Sequence, residues 1–222
     1  MNFVGHVRVA IDQGGDRDRL GFLIGAALPD IAAMGRFRLT NRPTDPDVQA
    51  GVALHHRTDD AFHGHPWFRD HSAAVTGNLL DAGLPRGAAR ACGHVGVELL
   101  LDGYLLASGT DNLGGTTGEA MAAVNRPEFG LADLVDTEHR PDWGRHLRRT
   151  AGWPLPDDYR EPAAVAHRLQ RILDRRPRLR FDAEQADRVA QILADRRPLL
   201  EQGADELLAE LAVAVGPSTA EH

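Results

Sequence analysis

Residues 85–107, PRGAARACGHVGVELLLDGYLLA, decide the fold. Pro85 suits the first turn of a helix, and apolar side chains follow on every side of it, over a run too long for one strand. The stretch therefore predicts a long helix that passes through the core. His94, Glu98 and Asp102 follow one another at one-turn spacing and share one face of this helix. A buried carboxylate is costly without a cation or hydrogen-bond donors, and a bound divalent metal ion is the simplest compensation.

A period near 3.6 residues dominates the rest of the chain, whereas strand-like alternation is confined to the first dozen residues, in FVGHVRVAI (3–11). The predicted fold class is therefore all-α, a single-domain helical bundle. The segments 35–44 and 108–118 are rich in turn formers and are expected to be surface loops. The further helices are expected at about 18–34, 45–63, 66–82, 116–124, 139–151, 161–175, 182–197 and 203–215.

Length and composition limit the protein class. A length of 222 residues and a hydrophobic content of 42% favour a single domain that comprises residues 1–215. Residues 216–222 are expected to form a disordered tail. All 25 basic residues are Arg, so no lysine is present for a Schiff base or a Walker-type phosphate contact. The net charge of -7 argues against a nucleic-acid partner.

Cellular location is indicated by what the sequence lacks. The opening MNFVGHVRVA has neither the charged start nor the apolar stretch of an export signal. No run reaches the roughly 18 to 20 apolar residues of a membrane span. Cys92, the single cysteine, rules out an internal disulfide and a cysteine-based zinc site. We expect a soluble, cytoplasmic protein with no membrane partner.

Histidine and carboxylate also occur together in the N-terminal half. His55 and Asp59 are four residues apart in a predicted helix, so they share a face. His6 lies between valines, and Asp30 follows the apolar stretch GFLIGAALP. Mixed imidazole and carboxylate ligands suit Mn²⁺ or Fe²⁺ best, with Zn²⁺ and Mg²⁺ also admissible.

Each of these residues also has a purely structural interpretation. His6 can be a satisfied core histidine, Asp30 can belong to a turn begun by Pro29, and LHHRTDD (54–60) can be a solvated helix face. His63 and His65 precede Pro66 and are interpreted as turn and capping residues rather than as metal ligands.

Four blocks resemble the acyl carrier protein phosphodiesterases, a divergent HD-like family that releases 4′-phosphopantetheine from holo acyl carrier protein. MNFVGHVRVA (1–10) is similar to the family's MNFLAHLxLA, and GFLIGAALPD (21–30) to its GNxLxDF. VQAGVALHHRTDDAFHGHP (48–66) resembles VxxGxxLHRxIDxFTDxHP, and VELLLDGYLLA (97–107) resembles VDxxYDHFLA. The resemblance covers about residues 1–107.

The resemblance implies an HD-like, metal-dependent phosphodiesterase. It implies an acyl carrier protein as partner, or otherwise a small-molecule substrate, with Asp59 orienting a ligand or accepting a proton and Arg57 neutralising phosphate. The family's histidine after the second acid is Gly103 here, which leaves two alternatives: His94 substitutes for it, or the reaction has changed. The implied metal ligands are His6, Asp30, His55, Glu98 and Asp102.

Two alternative functions stay open. The same metal site can serve an iron oxygenase, a lyase or another hydrolase that acts on a small metabolite. The chain can also be a catalytically inactive helical protein that binds a partner. Metal content distinguishes the inactive protein from the enzymes, and dependence on oxygen distinguishes the iron oxygenase from the hydrolase.

Overall fold

The computed structural model describes residues 1–109, 112–155 and 158–216. Within these ranges the chain forms ten α-helices and no β-strand, which confirms the all-α class. Short 3-10 helices occur at Pro127–Phe129, Leu131–Asp133, Thr137–His139 and Pro177–Leu179. No helix in the described part is long and apolar enough to cross a membrane. The helices are α1 (Phe3–Asp12), α2 (Leu20–Gly35), α3 (Pro46–Gly64), α4 (Pro66–Asp81), α5 (Arg86–Ser108), α6 (Leu113–Ala123), α7 (Arg140–Ala151), α8 (Pro162–Leu173), α9 (Ala183–Gln202) and α10 (Ala204–Val215).

All nine expected helices are present, and most of their ends fall within three residues of the predicted positions. The largest difference is at α9, which continues through Pro198 to Gln202. The predicted loop over 35–44 is confirmed, since no helix lies between Gly35 and Pro46. Of the predicted disordered tail, residues 217–222 lie outside the described residues.

Two expectations were wrong. The strand-like run at the N-terminus is α1, a helix whose residues are mostly buried, so tertiary burial outweighs the strand preference of its valines. The predicted loop 108–118 is helical from Leu113 onward. Burial of Leu113, Thr116 and Thr117 there outweighs the weak helix propensity of glycine and threonine.

Backbone contacts divide the chain into two compact units. Unit 1 comprises Met1–Ala61, Gly109–Leu155 and Leu211–His222, and unit 2 comprises Phe62–Ser108 and Pro156–Glu210. The expectation that the chain behaves as a single domain stays a prediction.

Unit 1 has α2 at its centre, packed against α1, α6 and α7. Gly25 on α2 and Gly51 on α3 lie against each other, and the two helices approach too closely there for larger side chains. A Cβ atom added to Gly51 would lie 2.8 Å from the backbone nitrogen of Ala26 and from the Cα of Gly25. This close approach brings the backbone of α2 beside the helical turn that carries His55.

Unit 2 has α5 at its centre, packed against α4, α8 and α9. Most residues from Ala88 to Leu105 on α5 are buried, which confirms the long core helix predicted from 85–107. Glycines again allow close helix packing, because a Cβ on Gly93 would lie 2.8 Å from the carbonyl oxygen of Ser72 on α4. The turn of α5 that carries His94 is therefore held tightly against α4.

Candidate metal centre

Unit 1 brings together His6 from α1 with His55 and Asp59 from α3. The potential ligand atoms of these three side chains all lie within 4.8 Å of one another. The two imidazole rings are stacked, with centroids 3.8 Å apart and planes inclined by 26°. His6 Nε2 lies 3.6 Å from Asp59 Oδ1. Both rings are buried, so the imidazoles form the closed side of the group.

A backbone contact orients His55. Its Nδ1–H donates a hydrogen bond of 2.8 Å to the carbonyl oxygen of Ala26, which leaves the lone pair on Nε2. Burial and the nearby His6 lower the pKa of His55 to about 3. His55 is therefore neutral at physiological pH, as a metal ligand must be.

Asp30 and Asp59 form the open side of this group. Asp30 Oδ2 lies 3.9 Å from His6 Nε2, and its side chain is 25% exposed, compared with 37% for Asp59. Asp30 is inside α2, which continues to Gly35, so it is not in a turn begun by Pro29. Asp59 Oδ1 also accepts a 2.8 Å hydrogen bond from the amino group of Met1. A metal ion that used this oxygen would take the place of the ammonium group.

Unit 2 contains a second group, made by His63, His94 and Glu98. Glu98 Oε1 lies 3.2 Å from Nε2 of His63 and 3.3 Å from Nε2 of His94. The two rings are stacked, with centroids 4.9 Å apart and planes inclined by 15°. Burial raises the pKa of Glu98, but hydrogen bonds from the two histidines lower it, and the net pKa is well below its usual value. Glu98 is thus a carboxylate held by two imidazoles.

Asp102 belongs to neither group of three among the described residues. It is fully buried one turn beyond Glu98. Burial, together with the negative charge of Asp102, contributes to a pKa of about 12 for Tyr159. At the neighbouring Gly103, a Cβ would lie 2.9 Å from the backbone nitrogen of Arg160 and closer still to the carbonyl of Tyr159. A histidine side chain would therefore have no room at position 103.

The remaining predicted residues differ in outcome. His94 lies with Glu98, as the one-turn spacing suggested. Arg57 is exposed, and its place on α3 is about 200° around the helix axis from both His55 and Asp59. His65 is the N-cap of α4, where its Nδ1 accepts from the backbone of Trp67, which confirms its capping role.

His63 is the residue that sequence reasoning interpreted differently. It lies in the last turn of α3 and contacts Glu98 through its ring nitrogen, so its role is not only that of a turn residue. Its separation from Glu98 along the chain hides this pairing. The sequence feature that could have identified His63 as a site residue is its position near the end of a predicted helix that carries several histidines.

Both groups have the chemistry of transition-metal ligands. Two imidazoles with a carboxylate suit zinc or iron, and exposed edges leave coordination positions open for water or substrate. Comparison of the chain with models of protein families, with curated proteins and with solved structures gave no match.

Proposed function

We propose that the chain is a divalent-metal-dependent hydrolase that acts on phosphodiesters, with its metal bound in unit 1. The observation that carries the proposal is the hydrogen bond from His55 Nδ1 to the carbonyl oxygen of Ala26. Metal-binding histidines usually donate their second ring nitrogen to a carbonyl or a carboxylate, which fixes the tautomer and the ring orientation. The other ring nitrogen of His55, Nε2, stays available as a ligand atom beside His6 and Asp59.

The ligand spacing fits an ion after a small contraction. Two ligands each about 2.1 Å from an ion are at most about 4.2 Å apart. His6 Nε2 and Asp59 Oδ1 already satisfy this limit at 3.6 Å, and the largest separation in the group is within 4.8 Å. Side-chain rotation of Asp59, which is half-buried, can supply the remaining movement.

The two carboxylates have different roles in the proposal. Asp59 is the ligand, because it lies nearer to His6 Nε2 than Asp30 does. Asp30 is partly exposed beside the ligands and accepts the proton of the attacking water. The reverse was expected from the sequence, with Asp30 as a metal ligand and Asp59 as the residue that orients a ligand or accepts a proton. When bound, a divalent ion supplies a Lewis acid for a phosphoryl oxygen and a water nucleophile at neutral pH.

The phosphodiester substrate, and the carrier protein as its source, rest on the family resemblance of residues 1–107. Arg57 is not part of the proposed site, since it lies on the far side of α3 from the ligands. A bound ion would instead hold the substrate phosphate. Two arginine clusters, Arg145–Arg149 on α7 and Arg175–Arg180, are the proposed docking positions for an acidic carrier protein.

A second candidate function is oxygen chemistry at iron. Two histidines and one carboxylate around an ion with open positions are also the ligand set of non-heme Fe²⁺ oxygenases. His6, His55 and Asp59 provide that set. This candidate retains the ligands and replaces the reaction.

The experiment compares Asp59→Asn with Asp60→Asn. Asp59→Asn keeps the side-chain volume and removes the ligand charge, whereas Asp60 is exposed, adjacent to Asp59 and outside the ligand group, so the same substitution there is a matched control. Metal content, and hydrolysis of bis(p-nitrophenyl) phosphate with added Mn²⁺, Fe²⁺ or Zn²⁺, are measured with and without air. Hydrolysis that is independent of air and is lost only in Asp59→Asn supports the proposal.

Other outcomes refute it. Turnover that requires oxygen favours the iron enzyme. Metal binding without hydrolysis of the phosphodiester favours a metalloenzyme that acts on another small metabolite, whereas the absence of bound metal favours a protein that only binds a partner. Equal metal content and equal hydrolysis in Asp59→Asn and wild type would exclude the unit 1 group as the centre.

A further inference from the structure

We infer that unit 2 holds a second divalent-metal site, formed by His63, His94 and Glu98 and suited to Zn²⁺. Its ligands share no residue with the unit 1 group, and the inference does not depend on the proposed hydrolase function.

The distances in this group match those around zinc. Ligands about 2.0 to 2.1 Å from a tetrahedral ion are about 3.3 Å from one another. The two nitrogen–oxygen distances to Glu98 are 3.2 and 3.3 Å. The group therefore needs no contraction along these two edges, and an ion can replace the protons between the three side chains.

The surroundings hold the ligands in place. Phe68 packs edge-on against both imidazoles, with ring centroids 4.9 Å from His63 and 5.0 Å from His94. His94 and Glu98 are one turn apart on α5, whose Gly93 packs closely against α4. Rigid ligands lose little side-chain freedom on metal binding, which favours affinity.

The exposed fractions of the three side chains indicate that a bound ion would be accessible to solvent. Glu98 is only 11% exposed, whereas His63 is 31% and His94 is 46% exposed. One carboxylate and two imidazoles leave the fourth tetrahedral position open on the histidine side. Two nitrogen ligands favour Zn²⁺ over Mg²⁺ or Ca²⁺, which prefer oxygen.

The test is a titration of the chelator-treated full chain with Zn²⁺, together with the visible spectrum of the Co²⁺ form, which reports tetrahedral geometry. The variants are Glu98→Gln and His94→Ala. The controls are His167→Ala, an exposed histidine of unit 2, and Asp59→Asn in unit 1. Circular dichroism checks that each variant is folded, and His94 is exposed enough for its truncation to leave the core intact.

We expect one Zn²⁺ site to weaken at least about 100-fold in Glu98→Gln and in His94→Ala, because an outer-shell partner alone is worth 10 to 100-fold. That site should be unchanged in both controls. A single bound ion that is lost in His94→Ala and kept in Asp59→Asn supports this inference while refuting the unit 1 centre. Equal Zn²⁺ affinity in wild type and folded His94→Ala overturns the inference, as does loss of the same site in Asp59→Asn.

Discussion

Replacing Gly51 by Ala tests whether close packing of α2 against α3 positions the unit 1 ligands. The new methyl group would lie 2.8 Å from the backbone nitrogen of Ala26 and closer still to the carbonyl oxygen of Phe22. Ordinary van der Waals contact begins at 3.4 Å. Backbone cannot rotate away as a side chain can, so α2 and α3 must separate by more than half an ångström.

The expected cost follows from two opposing effects. Overpacking a close contact costs about 1 to 3 kcal/mol, and contacts with backbone belong at the upper end. Alanine gains about 1 kcal/mol over glycine in helix propensity. The net loss in unfolding free energy is about 2 kcal/mol, which lowers the melting temperature of a chain of this length by about 4 to 8 °C.

Gly77→Ala is the matched control. Gly77 lies inside α4, and a Cβ there meets no atom within 4 Å, so only the gain in helix propensity applies. This variant should melt about 2 to 4 °C higher than wild type. The two glycine substitutions are thus expected to have opposite signs.

The same change should weaken metal binding in unit 1 without altering a ligand. Ala26 lies beside Gly51, and its carbonyl oxygen accepts the hydrogen bond of His55. Displacing that outer-shell partner should weaken binding about 10-fold. Calorimetric melting and metal titration of both variants measure the two effects. A Gly51→Ala protein that melts at or above the wild-type temperature, with unchanged metal affinity, would refute the packing argument.

Three further expectations concern other parts of the chain. Burial and the charge of Arg196 lower the pKa of His71 to about 4. Below about pH 6.5 the unfolded chain takes up a proton at His71 that the folded chain does not, so the free energy of unfolding should fall by at most about 3 kcal/mol as the pH drops to 4. Urea unfolding should show a smaller fall over this pH range in His71→Gln than in wild type. Asp102→Ala should lower the melting temperature and leave the metal content unchanged, because Asp102 is buried and belongs to neither ligand group among the described residues; loss of metal from a folded variant would make Asp102 a ligand. Replacing Arg145, Arg148 and Arg149 by Ala should weaken the binding of a holo acyl carrier protein and make that binding less dependent on salt, without removing metal. Binding to the wild-type chain that does not change with salt would exclude electrostatic docking.

The sequence determined most of the helices because helical periodicity and capping are local properties. Pro66 and Pro162 begin their helices as N-terminal prolines do, and the core position of α5 was evident from its apolar run. The pairs His55 with Asp59 and His94 with Glu98 were also predictable, since residues four apart share a helix face whatever the rest of the fold does.

Only the tertiary structure decided which of these pairs have partners from elsewhere in the chain. Asp30 meets His6, and His63 meets Glu98, through packing between helices, which leaves no periodic signal in the sequence. The close approach of Tyr159 to Gly103 is likewise set by a distant segment. Local patterns therefore specified helices and faces, whereas the ligand groups depend on contacts between residues that are far apart in the chain.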